Sequence, residues 1–106
     1  MPNYLFIESR GASARDAFGN TLAGALARGG AGVALLLVQN GALAARRGAG
    51  APLLDDLTAA GVPVFVDEFA LRERGIASDR LRPGVESAPL DIVIDRLLDG
   101  WQVIWH

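Results

Sequence analysis

Polar side chains able to do chemistry gather just behind the apolar runs of this sequence. Glu8 and Ser9, with Arg10, follow Tyr4-Leu5-Phe6-Ile7. Gln39 and Asn40 follow Val33–Val38, and Asp67 and Glu68 follow Val62–Val66. If the three runs are neighbouring parallel strands, these groups face a common crevice beyond the carboxyl ends, where open α/β sheets hold their ligands. Glu8 with Asp67 or Glu68 would offer a carboxylate pair for acid–base work or for a hard cation, although no spacing singles out that pair. Turns and caps account for the same residues without a ligand, and Asp67 is well placed to cap a following helix. Glu8, Ser9, Gln39, Asn40, Asp67 and Glu68 therefore define a candidate ligand-binding crevice. No catalytic residue and no metal ligand is assigned.

Several chemistries are excluded by residue type. The chain has no cysteine, so disulfides, thiolate metal sites and thiol catalysis are ruled out. His106 is the only histidine, and a metal site built on it would need carboxylates or a second subunit. All ten cationic residues are arginine, so the lysine of a phosphate-binding P-loop is missing. Gly48-Ala49-Gly50 does not directly follow a strand and lacks the third glycine of the dinucleotide pattern, and no G-x-S-x-G elbow occurs. No cofactor is expected. The formal charge is −2. Arg46-Arg47 is one local concentration of positive charge. Arg72, Arg74, Arg80 and Arg82 form another, interrupted by Glu73 and Asp79. That distribution predicts no nucleic-acid partner. The longest apolar run, Val33–Val38, is too short to span a bilayer, and Met1-Pro2-Asn3-Tyr4 has no leader character. No membrane partner and a cytoplasmic location are expected.

The elements that would position the crevice alternate between strand-like and helix-like. Tyr4–Ile7 reads as a first strand, continuously apolar as in a sheet covered on both faces. Ser13 and Asp16 make a capping-box-like start to a helix carrying Phe18, Leu22 and Leu26, stopped by Gly29-Gly30. Val33–Val38 is a second strand, and Gln39-Asn40-Gly41 a turn. Ala42–Arg47 holds one or two helical turns. Pro52 suits the first turn of a helix with Leu53, Leu54, Leu57 and Ala60 on one side, ended by Gly61. Val62–Val66 is the third strand, with Pro63 marking strand entry or an edge. Asp67 caps a short helix over 68–74, and Gly75 fits its left-handed C′ position. Residues 77–86 read as a loop with a very short strand near Val85. Ser87 and Pro89 open the clearest helix, with Leu90, Val93, Ile94, Leu97 and Leu98 as its apolar stripe and Gly100 as its stop. Trp101–Trp105 is the last strand, its two tryptophans on one face for core or subunit packing. The 106 residues form one α/β domain, a largely parallel sheet of about five strands.

The segments Tyr4-Leu-Phe-Ile-Glu8, Leu36-Leu-Val-Gln-Asn-Gly41 and Leu71-Arg-Glu-Arg-Gly-Ile76 resemble those of the DsrE/DsrF-like proteins, and the final helix and strand fit as well. The resemblance spans nearly the whole chain, and the L-x-x-R-G-I segment is its most specific piece. It implies a three-layer α/β/α, flavodoxin-like DsrE/F-type fold and a homo-oligomer, a trimer or hexamer, with a sulfur-relay protein as a further partner. Members that carry persulfide sulfur commonly have a cysteine directly before the L-x-x-R-G segment. The corresponding residue here is Ala70, a degenerate family-cysteine position. Beside the positive end of a helix, a thiol there would be favoured as thiolate, whereas alanine has no nucleophile. The resemblance thus implies a non-catalytic relative that associates with itself or a partner, with cysteine-dependent sulfurtransferase activity excluded. The alternative is a small-molecule-binding protein or enzyme using the crevice.

Overall fold

The computed structural model describes residues 3–10, 32–50 and 52–105. The helix expected between Ser13 and Gly29 and the terminal His106 lie outside the described residues. The chain contains β1 (Asn3–Glu8), β2 (Gly32–Leu37), a 3-10 segment (Gln39–Ala45), α1 (Pro52–Ala59), β3 (Val64–Asp67), α2 (Glu68–Glu73), a 3-10 turn (Ser78–Arg80), β4 (Val85–Ala88), α3 (Asp91–Leu98) and β5 (Gln102–Trp105). The strands form one sheet in the order β4-β3-β2-β1-β5, and every pairing is parallel. None of the described helices is long and apolar enough to cross a membrane.

This order follows from the connections. From β1 to β4 each strand is laid beside the last in one direction. The chain then returns across the sheet through α3 and adds β5 on the far side of β1. Strand side chains alternate between faces. Phe6, Leu35, Leu37, Val64 and Val66 point to one face and pack with Leu54 and Leu57 of α1, Ala70 and Leu71 of α2, and Ala42, Ala44 and Ala45 of the 3-10 segment. Leu5, Ile7, Ala34 and Leu36 point to the other face, under Ile92 and Val93 of α3. Both faces are covered, which is why the central strands read as unbroken apolar runs. Each fully buried Leu, Ile or Phe contributes roughly 1.5–3 kcal/mol to such a core.

One alternative is decided and two expectations need correction. Pro63 marks strand entry and not an edge: β3 lies between β4 and β2, and the Pro63 carbonyl accepts from the Leu35 N–H at 3.0 Å. Ser87 opens no helix; it pairs with Val66 in β4, and α3 starts at Asp91. The largest departure is the face of α3. Of its expected stripe only Val93 packs on the core, whereas Leu90, Ile94, Leu97 and Leu98 are exposed. Arg96 takes part on the packed side, its guanidinium 4.8 Å from the Trp101 ring centroid and 5.9 Å from that of Phe65. An arginine can lay its stem and flat head on aromatic rings and so stand where an aliphatic residue is expected.

Candidate functional site

Behind the strand tips, backbone chemistry is settled by a few close approaches. Val38 donates its N–H to the Glu8 carbonyl at 2.9 Å, and Gly41 donates to the Val38 carbonyl at 2.8 Å. A Cβ on Gly41 would run into that same Glu8 carbonyl, so the Gln39-Asn40-Gly41 turn needs glycine at its end. Gln39, with φ of +49°, is the one non-glycine residue in the left-handed region among the described residues.

Asp67 caps α2 as expected. Its Oδ1 accepts from the Phe69 N–H and its Oδ2 from the Ala70 N–H, each at 3.2 Å. At the other end Gly75 (φ +64°) donates to the Arg72 carbonyl and Ile76 to the Leu71 carbonyl, the paired bonds of a Schellman close. The L-x-x-R-G-I segment is thereby explained residue by residue: Leu71 packs in the core, half-buried Ile76 packs against it, Gly75 turns the chain, and Arg74 is a clasp. Arg74 Nη1 donates to the Ala70 carbonyl at 3.3 Å, and Nη2 donates to Asn40 Oδ1 at 3.0 Å.

The six candidate residues are distributed over three adjacent tips. Glu8 is buried, with its Oε1 accepting from the Arg10 N–H at 3.0 Å. Ser9 is half-buried beside it. Gln39 and Asn40 are exposed at the β2 tip, where Asn40 is held by Arg74. Asp67 is buried with both oxygens committed to the cap, and Glu68 is half-buried next to it. Glu8 and Asp67 are not neighbours. One strand separates β1 from β3, which at normal spacing is about 10 Å. Strand alternation also directs Glu8 to the face of Phe6 and Asp67 to that of Phe65. No set of three metal-ligating side chains comes together among the described residues. The point at which the winding reverses lies between β1 and β5, so Glu8 and Ser9 border it and the tips of β2 and β3 stand further along.

Ala70 stands in the first turn of α2, directly off the β3 tip. The helix placement is as expected, but the surroundings are closed. Its methyl is 2% exposed and belongs to the main core with Leu71, Val66 and Ala42. The first-turn amides that would favour a thiolate are taken by Asp67. No sequence spacing marks Arg74 for the site, although it ties the β2 tip to α2. Two surface grooves are lined by none of the six candidates. One, about 360 Å³, involves Asn3, Gly61, Pro63 and Trp101. The other, about 460 Å³, involves Arg46, Arg47 and Arg80.

A wholly parallel five-stranded sheet in this order, with helices on both faces, places the chain in a defined class of small α/β proteins with a DsrE-like fold. The YchN protein of E. coli has the same fold, with a TM-score of 0.87 and 24% identity over 100% of both chains. So has MTH1491 of Methanobacterium thermoautotrophicum, a protein of unknown function, with a TM-score of 0.85 and 20% identity, again over 100% of both chains. No family model and no curated protein sequence matches the chain.

Proposed function

We propose that this chain is a non-catalytic relative of the sulfur-relay proteins that works by assembly, with itself and with a thiol-bearing partner. The observation that carries this reading is the outer face of α3. Leu90, Ile94, Leu97 and Leu98 recur at helical spacing and leave large parts of their side chains uncovered, Leu98 being 81% exposed. Trp105, at 61%, stands on edge strand β5, on the α3 side of the sheet by strand alternation. Together they offer roughly 500 Å² of apolar surface, near the top of the range for a stable monomer. A second copy pressing the same stripe by a two-fold contact would cover about 1,000 Å², the size at which specific interfaces begin. Such a two-fold contact belongs to the hexamer that the family resemblance implies, and heterologous contacts would build its trimer.

Ala70 supports the other half of the reading. A packed methyl fills the position where a relative's sulfur would stand, so sulfur chemistry must come from the partner. The test is substitution on the stripe. Ile94→Arg with Leu98→Arg should abolish the two-fold contact, moving the chain to the elution position of a smaller assembly, and leave its circular dichroism unchanged. Unaltered elution would contradict the assignment of this face.

A second reading, a small-molecule site at the strand tips, draws on Gln39. A left-handed non-glycine residue at the end of a central strand is a strained conformation of the sort that gathers at ligand clamps. A thermal-shift screen of nucleotides and small anions tests it. Ligand at a hundred times its Kd should add roughly 2.7 kcal/mol, and no shift across the panel would count against it.

A further inference from the structure

The two concentrations of positive charge in the sequence are brought together by the fold. Arg47 donates its N–H to the Arg80 carbonyl at 2.7 Å, Arg46 forms an antiparallel bridge with Leu81, and Arg82 donates its N–H to the Ala45 carbonyl at 2.9 Å. Beneath this junction Arg82 is buried. Its guanidinium donates to the carbonyls of Ala44 and Ala49 and pairs with Asp55 at 3.1 Å. Arg82 is thus an internal clasp that fixes the platform. Arg46, Arg47 and Arg80 remain outside it and line one groove with Gly75, Ile76 and Ala77.

The three outer arginines have no carboxylate at ion-pair distance among the described residues, and no acidic residue lines the groove. Among the described residues, none of the three donates a side-chain hydrogen bond to the carbonyls closing α2, those of Ala70, Leu71 and Arg72. Arg46 donates from Nε to the Leu43 carbonyl at 2.9 Å, which orients its head and leaves its Nη groups available. Three like charges held side by side repel one another, and an anion between them relieves that repulsion.

We propose that this groove binds a small organic molecule through a doubly charged tetrahedral oxyanion, of the phosphate-ester kind. Guanidinium forks match such oxygens two at a time. The groove is open to solvent along its length, and Ile76 and Ala77 beside the arginines give the organic part an apolar wall. The proposal is independent of the assembly reading.

The experiment is calorimetric titration of the full chain with phenyl phosphate and with inorganic phosphate, at matched ionic strength, with side-chain Nε NMR to locate binding. The expected result is saturable binding, tighter for phenyl phosphate, with shifts concentrated at Arg46, Arg47 and Arg80. Arg47→Gln with Arg80→Gln should weaken it by about tenfold or more, while Arg72→Gln, outside the groove, should not. The proposal is overturned by unsaturable shifts spread over all arginines, by equal binding of the two probes, or by undiminished affinity in the double variant. Should that variant not fold, the shift map of the unmodified chain decides alone.

Discussion

Arg74 reaches from the end of α2 to Asn40 at the tip of β2, a hydrogen bond of 3.0 Å between residues 34 apart in sequence. Its other terminal nitrogen holds the carbonyl of Ala70. One side chain therefore ties the tip of β2 to α2 and braces the first turn of that helix. In a double-mutant cycle of Arg74→Ala and Asn40→Ala, read by urea unfolding, each change should cost about 0.5–1.5 kcal/mol, with a coupling of about 0.5 kcal/mol or more. Strict additivity would mean that the contact carries no stability.

Asp67 holds two amides of α2 with its two carboxylate oxygens. Asp67→Ala should cost about 1–2 kcal/mol in the urea midpoint analysis, and Asp67→Asn an intermediate amount, because asparagine keeps one acceptor oxygen for the cap and loses the second. Equal losses in the two variants would show that a single acceptor at this position contributes nothing to the cap.

Gly41 lies against the backbone of Glu8 with no room for a Cβ. Gly41→Ala is expected to cost about 2 kcal/mol or more, since backbone must move to admit it. Gly50→Ala, where a Cβ meets nothing within 4 Å, should stay within about 0.5 kcal/mol. Thermal unfolding of the pair checks this, and similar midpoints would contradict the close approach.

A cysteine at position 70 would be shielded. The first turn of α2 is where a helix favours a thiolate, but the Ala70 methyl is in the core and the Asp67 carboxylate already occupies the local amides. Ala70→Cys should be alkylated at least about tenfold more slowly in the folded chain than in urea. A rate as high as in the unfolded chain would mean that the position opens in solution.

Local signals were readable in the sequence, and long-range ones were not. The Asp67 cap, the Gly75 close and the core strands depend on residues a few positions apart, and each stands where the residue types place it. The short β4 was visible only as a hint at Val85, because Glu86 and Ser87 interrupt the apolar pattern of an edge strand. The Asn40–Arg74 contact and the convergence of Arg46 and Arg47 on Arg80 are made by the strand order and have no sequence spacing to reveal them. The face that α3 turns to the sheet departs from its periodicity for a physical reason. Periodicity marks the more apolar side of a helix, and it assumes that this side meets the protein's own core. Here Ile92, Val93 and the Arg96 stem meet the sheet, and the richer stripe is turned outward.

That outward stripe makes the mass of the protein in solution the decisive quantity. Light scattering on the eluting chain at micromolar concentration should give three or six times the 11.1 kDa of one copy. A single species at 11.1 kDa would contradict the claim that this protein acts by assembly.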